Sequence, residues 1–209
     1  MSLAICSLLV AYLLGSISGS LLLGKLRGVD IRTVGSGNAG GSNALRTQGW
    51  RFALGTVAVD IGKGALAAWL VGRLLPDAHQ GWVLASVLAA AAGHIWPLFH
   101  GFRGGKGAAT VVGGLAIVWP QALPTLLAVW LLSLMWGGYV GLSTVLAGVA
   151  LALFAVVTDA DAARVVFATS VAALLVFTHR SNLARLRAGI EPRFERVRIL
   201  GRWLSRKSA

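Results

Sequence analysis

Charge is scarce in this chain: Asp, Glu, Lys and Arg make up 12% of its 209 residues, about half the share of a soluble globular domain. Between Gly107 and Thr158 there is no charged residue at all. With 56% hydrophobic residues and a mean hydropathy of +0.76, that scarcity excludes a soluble domain and leaves an integral membrane protein. Acids are rarer still, 7 against 19 Lys and Arg. In a soluble protein the net charge of +12 would point to nucleic acid. Beside long apolar runs it marks a cytoplasmic membrane surface instead, which argues against nucleic acid as a partner. The one cysteine, Cys6, lies inside the first apolar run, so a disulfide framework and a Cys-based metal site are both excluded. No positive charge precedes that run, whereas Lys25 and Arg27 follow it. A cleavable secretory signal has the opposite order, so the run reads as a retained helix with its N-terminus outside.

Apolar spans are predicted at 3–23, 52–72, 82–99, 107–119, 121–136, 141–158 and 163–178, the long uncharged stretch being cut at Trp119-Pro120 and Gly137-Gly138. Seven spans put the connections after the first, third, fifth and seventh on one face. That face then holds sixteen of the 19 Lys and Arg; the other has only Arg73 and Arg164, with Asp77, Asp159 and Asp161. The bias predicts an all-α membrane protein of seven transmembrane helices, with its N-terminus outside and its C-terminus cytoplasmic. Residues 1–209 read as a single membrane domain ending in a basic cytoplasmic tail at 193–209, suited to anionic lipid.

Every unusual polar motif falls in a cytoplasmic connection: residues 35–46, 93–110, 139–144 and 179–191. Four segments distant in sequence are thus placed to meet at one site. The first interleaves Gly35, Gly37, Gly40 and Gly41 with Ser36, Asn38, Ser42 and Asn43 and ends in Arg46. Gly35, Gly37 and Gly40 match the spacing of a dinucleotide fingerprint, but no strand and no βαβ unit surrounds them. A flexible linker explains the glycines and leaves two Asn and a terminal Arg unexplained.

The second motif contains Gly104-Gly105-Lys106-Gly107 and Thr110. Glycines admit an anion close to the backbone, Lys106 supplies a point charge, and a helix starting near Gly107 aims its positive dipole end at the same spot. The turn lacks the upstream glycine and the following Ser/Thr of a nucleotide-binding P-loop. Its dull reading is a basic turn ordered by lipid headgroups. His94 reads as a packing or hydrogen-bonding residue, with no second His or acid one turn away for a metal. Asp60 and Lys63, three apart in the second span, are expected to pair with each other, since lone charges at membrane depth are costly. In the fourth motif His179 directly follows an apolar span, where an imidazole can take a proton or donate to an anion.

Taken together, residues 35–46, 93–110 and 179–191 resemble the three cytoplasmic motifs of the bacterial acyl-phosphate:glycerol-3-phosphate acyltransferases, and the Asp60-Lys63-Gly64 segment is similar too. The resemblance runs in order over nearly the whole chain. It implies a seven-helix inner-membrane enzyme that moves a fatty acyl group from acyl phosphate to the 1-hydroxyl of glycerol 3-phosphate, giving lysophosphatidic acid, without a cofactor or a metal. Ser36, Asn43, Arg46, Lys106, His179 and Asn182 match the family's polar site positions, and Gly104, Gly105 and Gly107 its phosphate loop. Gly35, Gly37, Asn38 and Ser42 are carried with the first motif as substrate-binding residues. Two departures stand out. Ala39, Gly41 and Ser42 replace a family Pro, Ala and Thr, with the hydroxyl kept at Ser42. Residues 138–143 read Gly-Tyr-Val-Gly-Leu-Ser where the family has Arg-Tyr-Val-Ser-Leu, so an Arg and a Ser are missing and Ser143 is the candidate replacement hydroxyl.

Both substrates are phosphate esters or anhydrides, so the chemistry needs anion holders and one proton acceptor. Lys106, Arg46 and the amides of residues 104–107 are assigned to phosphate; Ser36, Asn43, His179 and Asn182 are assigned to glycerol phosphate and the reacting carbonyl. A membrane anion transporter or lipid-phosphate binder would also want glycines and cations at helix ends, but its polar groups would line a path between faces. Here only Asp60 and Lys63 lie deep. No His is followed five positions later by Asp, which excludes the pairing used by the other large class of glycerolipid acyltransferases.

Overall fold

The computed structural model describes residues 2–75 and 80–207. Among these the chain is all-helical, with α1 (Ser2–Gly15), α2 (Gly19–Leu26), α3 (Gly41–Gln48), α4 (Trp50–Leu74), α5 (Gln80–Ile95), α6 (Ala108–Val118), α7 (Leu123–Gly137), α8 (Val140–Val157), α9 (Ala162–Thr178), α10 (Arg180–Arg187) and α11 (Ile199–Lys207). Asp77, expected on the charge-poor face, and residues 208–209 of the basic tail lie outside the described residues. The chain divides into two compact units, Met1–Pro120 and Gln121–Ala209.

Among the described residues four helical segments are long and apolar enough to cross a membrane, and up to six if each of two bent pairs counts as one span. The long uncharged stretch breaks where expected, at Trp119-Pro120 and at Gly137-Gly138. The first span differs from expectation. It is the pair α1–α2, bent by 44°, because the backbone around Ile17 leaves the helical ladder: the Ile17 carbonyl accepts from Lys63 Nζ (2.8 Å) and the Gly19 N–H donates to Asp60 Oδ1 (3.1 Å). Lys63 and Asp60 also pair with each other at 3.1 Å. A backbone break at membrane depth is tolerated only where its freed groups find partners, and this ion pair supplies them. Large apolar side chains face outward in both units. Leu54 in the first, and Leu132, Leu153 and Val156 in the second, are each more than half exposed, as lipid contact requires.

Within the first unit α4 packs on both α6 and α5, and α1 on α5. The α4–α6 crossing is made by glycines: a side chain on Gly64 would run into the backbone of Thr110, and one on Gly113 into the backbone of Ile61. Backbones that approach so closely gain dispersion and order both helices, the main attraction available between helices in lipid. Gly62, two residues before Gly64 and so on the other side of α4, faces open space. Gly113→Val is therefore expected to lower the unfolding midpoint of the detergent-purified protein, at a cost of about 1–3 kcal/mol for overpacking, while Gly62→Ala leaves it unchanged within a degree or two. Equal midpoints for the two variants would show that this crossing does not hold the unit together.

Candidate functional site

In the first unit the loop before α3 is built around Asn43. Its side chain is buried, its Nδ2 donates to the carbonyls of Ile31 and Val34 (both 3.0 Å), and its Oδ1 accepts from the Ser36 N–H (2.9 Å). With both donors engaged inside the loop, Asn43 shapes the turn rather than reaching a substrate. Gly35 turns there with φ +60°, and a side chain on it would strike Asn43 Oδ1. Ser36 and Gly37 are exposed at the tip, Asn38 and Ser42 are half-buried, and Arg46 is exposed on α3 with its Nε donating to the Ser42 carbonyl (3.2 Å). The run is a pinned turn feeding a helix, not a flexible linker.

The second loop folds back on the end of α5. The N–H of Gly104 donates to the Ile95 carbonyl (3.1 Å) and that of Gly105 to the His94 carbonyl (3.0 Å). These two amides are thus committed within the loop and are not donors for an anion, contrary to their expected role. Gly107, at φ +86°, caps α6. The first-turn amides of α6 lack carbonyl partners within their own helix, as at any helix start. Lys106 is half-buried between the committed pair and that helix start.

The two loops meet. The Ala39 N–H donates to the Gly104 carbonyl (3.4 Å), and Arg32 Nη1 donates to the carbonyls of His100 (2.7 Å) and Arg103 (3.3 Å). Arg32 is itself held by Asp30, through Nη2 to Oδ2 at 2.8 Å and Nε to Oδ1 at 3.0 Å. The side-chain hydrogen bond from Arg32, then its backbone N–H, hold the Asp30 carboxyl down at about 2, so the clamp is ionised at neutral pH. Neither residue carried a sequence signal, since an Asp two residues before an Arg is common on any surface. Tyr12 completes the support, its hydroxyl donating to the Trp96 carbonyl (2.6 Å).

In the second unit the remaining two motifs also meet. His179 ends α9 and is buried; its Nδ1 lies 2.9 Å from the Leu175 carbonyl. A carbonyl only accepts, so Nδ1 carries the proton and the lone pair of the neutral ring is on Nε2. Asn182 Nδ2 donates to Glu191 Oε1 (2.5 Å), whose Oε2 accepts from Arg185 Nε (2.7 Å). The Glu191 side chain is only 6% exposed, so it fixes both partners. Gly141, standing where the resembled family has Ser, packs directly on Asn182, and a side chain there would displace it. Arg193 donates from Nε to the Tyr139 hydroxyl and lies over the ring, 4.8 Å from its centroid. Ser143 is buried, with its hydroxyl donating back to the Tyr139 carbonyl (2.9 Å), which ties it to its own helix rather than offering a replacement donor. Among the described residues no three His, Cys, Asp or Glu side chains cluster as metal ligands do.

The sequence-family model described as glycerol-3-phosphate acyltransferase matches residues 5–189. A relative named glycerol-3-phosphate acyltransferase from Geotalea daltonii is 40% identical over 187 residues, covering 89% of this chain and 95% of its own. Two crystal structures of PlsY (YgiH), an integral membrane glycerol 3-phosphate acyltransferase, are similar. The glycerol 3-phosphate form has a TM-score of 0.85 at 35% identity over 91% of this chain and 95% of that one. The lysophosphatidic acid form has 0.85 at 34%, over 94% and 98%.

Asn43→Ala removes three side-chain hydrogen bonds worth about 0.5–1.5 kcal/mol each, so the turn is expected to loosen by roughly 2–4 kcal/mol. Amide hydrogen exchange of a peptide spanning residues 34–40 is expected to accelerate at least tenfold, with α4 unaffected. Unchanged exchange in that peptide would remove Asn43 as the pin.

Proposed function

The chain belongs to the glycerol-3-phosphate acyltransferase family, and we propose that it takes the fatty acyl group from acyl phosphate and passes it directly to the 1-hydroxyl of glycerol 3-phosphate. The product is lysophosphatidic acid, an early intermediate of phospholipid synthesis. The observation that carries the donor assignment is the loop at residues 104–107. Its first two amides fold it onto α5, which sets Lys106 beside the start of α6, and a single cation at a helix N-terminus suits a small phosphate group better than a nucleotide. An acyl phosphate presents such a group at the membrane surface while its tail stays in lipid.

Lys106, Arg46 and the first-turn amides of α6 hold phosphate in this reading, with Ser36 at the exposed tip of the adjoining turn. Asn43 and the amides of Gly104 and Gly105 set the shape of that cradle. The glycerol hydroxyl attacks the acyl carbonyl carbon, the carbon–oxygen bond to phosphate breaks, and inorganic phosphate leaves with the electron pair. Phosphate is already a good leaving group, so no acyl-enzyme is needed. The hydroxyl proton goes to Nε2 of His179 or to a phosphate oxygen. Within the second unit the Leu175 carbonyl fixes the His179 ring and Glu191 holds Asn182; their assignment to the proton and to orienting the substrate rests on the family resemblance.

Seven spans, counting α1–α2 as one and the short α6 as another, put both phosphate-binding loops in the cytoplasm and the N-terminus outside, in the bacterial inner membrane. The charge bias supports that orientation. Single cysteines at Thr33 and Arg103, in a Cys6→Ser background, are expected to react with an impermeant maleimide only from the cytoplasmic side, and one at Thr158 only from outside. Labelling of Thr33 and Thr158 from the same side would overturn the orientation.

The donor is tested by offering acyl phosphate, acyl-CoA and acyl carrier protein at equal concentration with labelled glycerol 3-phosphate. Product is expected from acyl phosphate alone; robust product from acyl-CoA would overturn the assignment. In the same assay Lys106→Ala is expected to lose at least about two orders of magnitude in turnover, on the order of 3–4 kcal/mol of transition-state stabilisation. Near-normal turnover would return Lys106 to contact with lipid headgroups.

A further inference from the structure

Asp60, Lys63 and His94 form a buried cluster to which the mechanism above gives no part. Their residues are 2%, 6% and 3% exposed. Lys63 Nζ lies 3.1 Å from Asp60 Oδ1, 2.8 Å from the Ile17 carbonyl and 2.7 Å from His94 Nδ1. An ammonium has three N–H donors and no acceptor, so these three contacts exhaust it. A proton on His94 Nδ1 would face an ammonium proton at that distance. Nδ1 therefore accepts, and the neutral ring carries its proton on Nε2. The 3.3 Å separation of His94 Nδ1 from Asp60 Oδ1 is then that of two acceptors sharing one ammonium.

The other edge of the ring faces the loops. A side chain placed on Gly105 would collide with His94 Nε2 and with the Ala39 carbonyl, so Nε2–H points at the place where the two loops join. The His94 main chain grips the same spot, since its carbonyl accepts the Gly105 N–H. Satisfying the break at Ile17 and Gly19 requires Asp60 and Lys63, but it does not require an imidazole as the third partner of the ammonium. A buried ion pair is moreover a poor source of net stability.

We propose that Asp60 and Lys63 are positioning residues that fix the ring and tautomer of His94, and that His94 in turn sets the Gly104–Gly105 backbone carrying Lys106, so that the cluster tunes affinity for a terminal phosphate. The inference rests on the assignment of that loop to phosphate. The phosphate is that of glycerol 3-phosphate or of the acyl donor, the chemistry being the same.

The test uses the full chain in detergent with three variants. His94→Leu removes both polar ends of the ring. His94→Gln keeps an amide oxygen for Lys63 and an amide N–H for the loop. Asp60→Asn combined with Lys63→Met keeps the ring and removes both charges. KM for each substrate is measured, together with the rise in unfolding midpoint produced by inorganic phosphate, which does not depend on turnover. His94→Leu and the double variant are expected to raise KM at least tenfold for one substrate, with kcat within threefold of wild type, and to abolish the phosphate-induced rise. His94→Gln is expected to restore most of both. A KM effect confined to glycerol 3-phosphate assigns the loop to the acceptor, and one confined to acyl phosphate assigns it to the donor; either supports the proposal. Variants with wild-type KM and wild-type phosphate shift would overturn it, as would a His94→Gln variant no better than His94→Leu. Should His94→Leu not be recovered folded, the double variant and His94→Gln decide alone. A wild-type chain that shows a His94-dependent phosphate shift but no turnover of acyl phosphate would refute the donor assignment and leave this one standing.

Discussion

A peptide group exposed in the hydrocarbon core has no water to turn to, and the first span contains a break in its helical ladder. The structure answers with Asp60 and Lys63, whose side chains take up the Gly19 N–H and the Ile17 carbonyl while neutralising each other. Much of the first unit follows from that arrangement. The bend between α1 and α2 brings the chain to α4, and the Lys63 ammonium reaches on to α5 through His94. One ion pair thus ties three helical segments at a depth where any unpartnered member of the set would cost several kcal/mol. The pair contributes less as an attraction than as the condition under which an interrupted helix can exist there.

The loops above it obey a second economy. A glycine-rich run is usually mobile, yet here few of its polar groups are left to wander. Asn43 closes one turn from inside, two glycine amides fasten the other to α5, and Arg32, braced by Asp30, joins the two through carbonyls. Glycine serves these loops by its small size, letting main chain lie against main chain. Short, pinned connections suit the proposed transfer, whose demands are to hold small anions still and to admit one hydroxyl.

The sequence reveals a good deal of this and misses some of it for identifiable reasons. Helices long enough to cross the bilayer follow from hydropathy, and the breaks at Trp119-Pro120 and Gly137-Gly138 follow from the stereochemistry of Pro and Gly. The split of the first span falls in Gly15-Ser16-Ile17-Ser18-Gly19-Ser20, small residues that intact membrane helices also carry, and the polar partners that permit the break lie some forty positions away. The pairing of Asp60 with Lys63 was legible from their spacing, but His94 as a third member was not, since it belongs to another helix. The family resemblance led to Asn43 and Ser143 without revealing that each would turn inward, because which way a small polar side chain points depends on which carbonyls the fold leaves unpaired nearby. The clamp made by Asp30 and Arg32 has no pattern to find.

One feature of α6 bears on depth. Its 11 residues rise only about 16 Å, at 1.5 Å each, roughly half of the hydrocarbon thickness. In the proposed seven-span arrangement its two ends cannot both reach water across a bilayer of ordinary thickness, so either the lipid thins around it or one end stays recessed. If the recessed end is the glycine cradle, the cation at Lys106 lies level with the ester region of the neighbouring lipids, where the carbonyl of a membrane-embedded fatty acid derivative already resides. An acyl chain would then need no lifting out of its leaflet to be used, and the water-soluble partner would do the travelling.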